Sequence, residues 1–147
     1  MTPYPAPAPI PSQELTALVG SKWCETHQTL VVALDKKHLN PKEAMHKIWA
    51  ICPDYNLVIV DDFVDVNNLS DVAWRALGNT DWRRDLEISR DTIDHYASGD
   101  LPRSFIGLDA TSKTAEDGHP RGWPEEIFMT DDIVKKVDER WSAYGLQ

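Results

Sequence analysis

Residues 57–77 read LVIVDDFVDVNNLSDVAWRAL. Leu57 to Val60 is an unbroken apolar run, three of its four residues β-branched, which predicts a strand buried on both faces. It runs straight into Asp61-Asp62. Either Asn68 or Ser70 is suited to cap a following helix that carries Leu69, Val72, Ala73, Ala76 and Leu77, and Gly78 ends it.

The same grammar stands upstream. Leu30 to Leu34 (LVVAL) is a second short apolar run. Pro41 suits the first turn of a helix, where a missing N–H costs nothing. Ala44, Ile48 and Ile51 then share one helical face, and Cys52-Pro53 closes it. Strand, helix, strand, helix is the order of an α/β layer. The predicted fold is therefore a three-layer α/β domain, with a short, mostly parallel sheet flanked by helices. Ser12 is read as the cap of a short helix to about Val19, ended by Gly20. Short strands are expected at Leu86–Ile88 and Ser104–Leu108 within a loop-rich region, residues 79–123. Thr130 caps a last helix whose first turn holds Asp131 and Asp132, where the helix dipole favours them. Ile133, Val137 and Trp141 should line its buried face.

With 147 residues the chain has room for one domain, read here as residues 12–147. Residues 1–11 stand apart. Pro3, Pro5, Pro7, Pro9 and Pro11 alternate mostly with Ala, which favours an extended arm. Tyr4 and Ile10 are its apolar anchors, and both a disordered tail and an arm laid on a partner fit it. The net charge of −9 repels phosphate backbones and argues against nucleic acid. No apolar stretch approaches the roughly 20 residues that span a membrane. The absence of a basic, then apolar, start predicts a cytoplasmic location. Cys24 and Cys52 form neither a disulfide framework nor a metal cluster and are read as plain thiols. The six tryptophans are many for one small domain. Trp74 and Trp141 fall on helix faces and are expected in the core. Trp23, Trp49, Trp82 and Trp123 cannot all be buried easily, so an aromatic interface is expected.

Five segments, taken in order, resemble the C-terminal third of the UbiD family of prenylated-flavin-dependent decarboxylases. Lys36, Lys37, Pro41 and Ala44 are similar to its K-K-x-x-P-x-x-A segment. Residues 57–77 supply the family's strand, acidic pair, polar turn and D-V-x-W helix start, here Asp71-Val72-Ala73-Trp74. DWRRDLEI, residues 81–88, is similar to its D-P-x-R-D segment, with Trp82 in place of proline. GLDATSK, residues 107–113, resembles G-L-D-A-T-x-K, and DIVKKVDERW its final helix. Residues 30–146 are covered.

The resemblance implies the following. The family's proton-transfer residues and the ligands of its flavin-bridging metal lie mainly in earlier domains that this sequence does not contain. No catalytic or metal-binding residue is therefore assigned here. Prenylated FMN and its divalent metal would be held mainly by a larger UbiD-like subunit in a hetero-oligomer, with none in the isolated chain. The substrate would be an aromatic carboxylic acid or a phenolic compound. Thr92-Ile93-Asp94 is similar to the family's T-P-I-D loop without its proline. Ile93 is thus a candidate wall of the substrate site, with Thr92, His95 and Tyr96 beside it; an ordinary loop with Ile93 packed inward is the plainer reading. Lys36 and Lys37 are candidates for the flavin phosphate, or a solvated pair.

A different class of function starts from Asp61 and Asp62. Carboxylates at a strand's end can hold Mg²⁺, as in receiver-like regulatory modules, with Thr111 and Lys113 as accessory groups. The plainer reading is that Asp61 accepts loop N–H groups, while Asp62 or Asp65 caps a turn.

Overall fold

Leu30–Leu34 and Leu57–Val60, within the strands Thr29–Leu34 and Asn56–Asp61, are apolar at every position, so each has two faces to bury. They lie side by side at the centre of a five-stranded sheet. The computed structural model describes residues 6, 10, 15–53, 55–89 and 104–145. In chain order the elements are β1 (Leu18–Cys24), β2 (Thr29–Leu34), α1 (Pro41–Ile51), β3 (Asn56–Asp61), α2 (Leu69–Gly78), β4 (Leu86–Ile88), β5 (Ile106–Asp109) and α3 (Asp131–Arg140). The sheet order is β1-β2-β3-β5-β4. Its centre is parallel: Leu30 pairs with Leu57, and Leu57 with Gly107. Its two edge strands, β1 and β4, are antiparallel additions.

Successive residues of one strand feed different cores. Leu30, Val32, Leu34, Leu57 and Ile59 pack with Ala44, Met45, Ile48 and Trp49 of α1. Val31, Ala33 and Val60 pack on the other side with Val64, Val66, Ala110 and Val72 of α2. The period-two alternation of strand side chains thus builds the expected three layers. Asn40 caps α1 by accepting from the Lys42 N–H at 2.9 Å, with Pro41 in the first turn. Asn68 caps α2, accepting from Asp71 N at 3.3 Å. A Cβ on Gly107 would stand 2.6 Å from Met45 Sδ and 2.9 Å from Trp49 Cη2. Only glycine lets β5 and α1 approach so closely.

Several expectations change. Leu18 and Val19, expected at the end of a helix, begin β1, and Gly20 lies inside that strand. The expected cap, Ser12, lies outside the described residues. Pairing with β2 overrides a local pattern blurred by polar Ser21 and Lys22. Trp74 is 76% exposed, because α2 turns Val72 and Arg75 inward instead. No residue of α3 is buried; Ile133 and Trp141 are exposed and Val137 only half-buried. A helical stripe predicts which residues share a face, not whether anything covers it. The Thr130 hydroxyl bonds the Asp132 carboxylate rather than accepting a backbone N–H.

The chain divides into two compact units, Met1–Lys113 and Thr114–Gln147. The sheet, α1 and α2 belong to the first, and α3 to the second.

Candidate polar site at the ends of the parallel strands

The carboxyl ends of β2, β3 and β5 bring together the segments Asp35–Lys37, Asp61–Asp62 and Asp109–Lys113. Ligands favour such an edge in open α/β sheets. The acidic pair divides there. Asp61 is buried and Asp62 exposed. Both Asp61 oxygens accept from one residue, the Ser112 N–H at 2.8 Å and the Ser112 hydroxyl at 3.0 Å. The Lys36 ammonium donates to the Ser112 carbonyl at 2.8 Å. Burial pushes the Asp61 carboxyl above its usual range, against the pull of the Ser112 bonds and of the Lys36 and Arg75 charges. Asp65 shapes the turn that follows, accepting from Asn67 N at 2.9 Å. Asp61 and Asp65 therefore act as the plainer reading expected.

Thr111 and Lys113 turn to a different carboxylate. The Thr111 hydroxyl donates to Asp109 Oδ1 at 2.6 Å, and the Lys113 ammonium lies 2.9 Å from the same oxygen. Lys113 is wholly buried. It also donates to the carbonyls of Asp109 at 2.8 Å and Thr111 at 2.9 Å. Its Nζ stands 3.8 Å from Asp85 Oδ1. Asp85, equally buried, takes a two-pronged grip from Arg84, both bonds 2.8 Å, and the Asp81 N–H at 2.7 Å.

Burial pulls the Lys113 ammonium below its ordinary range, and the Asp109 and Asp85 charges restore only part of it. Burial would raise the Asp85 carboxyl. The Arg84 and Asp81 bonds, with the Lys113 and Arg84 charges, outweigh it and hold that group below the usual carboxylate range. The segments DWRRD and GLDATSK, 22 residues apart in sequence at Asp85 and Gly107, thus close on one buried charge network. Asp85, Asp109, Ser112 and the buried Arg75 had no assigned role in the sequence reading. The available signal was a charged residue inside each motif with apolar neighbours.

What the site does chemically is fasten one loop to another. Among the described residues, no group of three or more His, Cys, Asp or Glu has metal-holding geometry. The lysine pair splits, with Lys36 engaged on Ser112 and Lys37 exposed. A flavin phosphate needs N–H donors and cations facing outward together. The Ser112 N–H is spent on Asp61 and the Lys36 ammonium on the Ser112 carbonyl, and Lys37 is the member of the pair that faces solvent. Thr92, Ile93, His95 and Tyr96 lie outside the described residues. The chain leaves the described part at Ser89 and returns at Ser104. There Ser89 N donates to the Phe105 carbonyl and Phe105 N to the Ser89 hydroxyl, both at 2.8 Å. This anchor adjoins the start of β5, the opposite end of the strand from Asp109.

Comparison with known proteins agrees with this fold. Residues 21–110 match the family of the 3-octaprenyl-4-hydroxybenzoate carboxy-lyase C-terminal domain. An uncharacterized protein of Aquifex aeolicus is 34% identical over 95 residues, which are 63% of this chain and 20% of that protein. One of Archaeoglobus fulgidus is 30% identical over 124 residues, 79% of this chain and 26% of that one. Vanillic acid decarboxylase of Sedimentibacter hydroxybenzoicus, in open form, superposes with a TM-score of 0.67 at 16% identity, over 92% of this chain and 31% of that one. The UbiD-class enzyme HmfF of Pelotomaculum thermopropionicum, in complex with FMN, gives a TM-score of 0.66 at 20% identity, over 86% and 30%. The chain spans less than a third of the length of each of these relatives.

Proposed function

Because the chain belongs to the UbiD carboxy-lyase family and carries its C-terminal domain, we propose that it is the small subunit of an aromatic acid decarboxylase or carboxylase. A larger UbiD-like subunit holds prenylated FMN and its metal, and this chain completes the active-site lid and the oligomer interface. The observation that carries the reading is the family match over residues 21–110, joined to a likeness in fold to less than a third of a vanillic acid decarboxylase chain.

In this reading the flavin supplies the electron sink for reversible carboxyl exchange. The residues of this chain bind, orient and exclude water. Ile93 walls the substrate side, flanked by Thr92, His95 and Tyr96. Lys37, exposed, is the better placed of the two lysines to meet a phosphate on the partner. The two free cysteines fit a reducing, cytoplasmic setting. No helix of the described residues is long and apolar enough to cross a membrane. The regulatory alternative loses support, since Thr111 and Lys113 are committed to Asp109 rather than poised over Asp61 and Asp62.

The test is co-expression with the UbiD-like subunit of the same genome, followed by size-exclusion chromatography and a flavin absorbance spectrum. A co-eluting, flavin-bearing and active complex is expected, with the isolated chain colourless and inactive. A large subunit that is fully active alone and ignores this chain overturns the reading.

A further inference from the structure

Three large apolar side chains, all exposed, follow one another in the chain. Ile127, Phe128 and Met129 are 95%, 74% and 66% exposed. They lie in a stretch, residues 122–130, that belongs to neither helix nor strand, and residues 124–136 are all exposed. Scattered surface apolars need no explanation, but three large consecutive ones do. Their surroundings add chemistry. Between Gly122 and Val134 stand Glu125, Glu126, Asp131 and Asp132, and no lysine or arginine. The helix that follows, α3, has no buried residue. A ten-residue helix is marginal by itself in water and is ordinarily stabilised by packing.

We infer that residues 123–130 are a docking strap that inserts Ile127, Phe128 and Met129 into an apolar groove rimmed by lysine and arginine on another polypeptide. Charge selects that partner. A second copy of this chain is itself acidic, at −9, and repels the strap's two carboxylates, Glu125 and Glu126, and the two that follow it, Asp131 and Asp132. The occupant is therefore a different protein with a basic rim. Resting on the reading above, that protein is the larger UbiD-like subunit. Pro124 fixes its own φ, so part of the ordering cost of an extended peptide is met before binding. The apolar trio supplies affinity, while the flanking carboxylates steer encounter and set register.

The experiment measures binding of the full chain to the purified large subunit by titration calorimetry at low and high salt. The double variant Ile127→Asp/Phe128→Asp should weaken binding about thirtyfold or more. Glu125→Lys/Glu126→Lys should weaken it about tenfold at low salt and less at high salt. Both variants should melt within a few degrees of the wild type, because all four altered side chains are exposed. Wild-type binding with unchanged affinity in both variants overturns the strap and leaves the subunit reading intact. No binding by the wild type overturns the subunit reading, and the choice of partner with it. A concentration-dependent dimer of the chain alone, lost in the apolar variant, would make a second copy the occupant and overturn the commitment to a basic partner.

Discussion

The stretch 57–113 and the stretch 114–145 both carry large apolar side chains and dense charge, yet the first buries part of each and the second buries neither. In the first, even charge goes inside. Lys113, Asp85, Asp109 and Asp61 are buried, and each finds bonds within a few ångströms. In the second, no described residue is buried, and Ile127, Phe128, Met129, Ile133, Val134 and Trp141 are exposed. The difference is access to a sheet. Gly107 to Asp109 run beside β3, so the residues that follow are drawn over its carboxyl end, where leaving any polar group unpaired is costly. The described residues past Thr114 pair with no strand. Burial of charge thus marks where the first unit completes itself, whereas none of the described residues of the second unit is buried.

The hardest blow to this contrast falls on its buried side. Lys113→Met leaves Asp109 and Asp85 facing an apolar group, and should cost about 3–5 kcal/mol in urea unfolding. A loss under 1 kcal/mol would mean that the network contributes little to holding the two motifs together. Next is Gly107→Ala, which forces Met45 and Trp49 apart and should cost about 1–3 kcal/mol. An unchanged melting temperature would show that β5 and α1 are less closely packed than their geometry indicates.

The smallest effect is also the sharpest, because two carboxylates must move stability in opposite senses. The folded-state Asp85 lies below its ordinary range, so its stabilisation is present above the ordinary carboxylate range and fades as pH falls through the lowered value. Asp61 lies above its ordinary range, so its charged form is the less favoured in the fold, and stability is lost as pH rises through the raised value. Asp85→Asn should therefore make the acid limb of the stability–pH curve shallower, and Asp61→Asn should make it steeper. Equal slopes in the two variants, measured by urea titration from pH 3 to 6, would refute the assignment.

The central strands were legible because runs such as LVIV and LVVAL have few other ways to be satisfied. The helix start at Pro41 was legible from its missing N–H, and that of α2 to within the choice of Asn68 or Ser70 as its cap, which the structure settles on Asn68. The edge strand β1 was not, since Ser21 and Lys22 interrupt its pattern and its partner lies in β2. Nor was the role of Trp74, whose place on a stripe said nothing of what lay above it. Of the candidate residues, Lys36 and Lys37 could be named from sequence, but their division into an engaged and an outward lysine could not.

The sequence by itself determined the two buried strands, the α/β alternation and the family, because these rest on local pattern and motif order. Only the tertiary structure decided that DWRRD and GLDATSK meet through Lys113 and Asp85, and that Asp61 turns inward while Asp62 faces water. Such pairings depend on which loops the sheet order brings side by side, and no short window of residues contains that information.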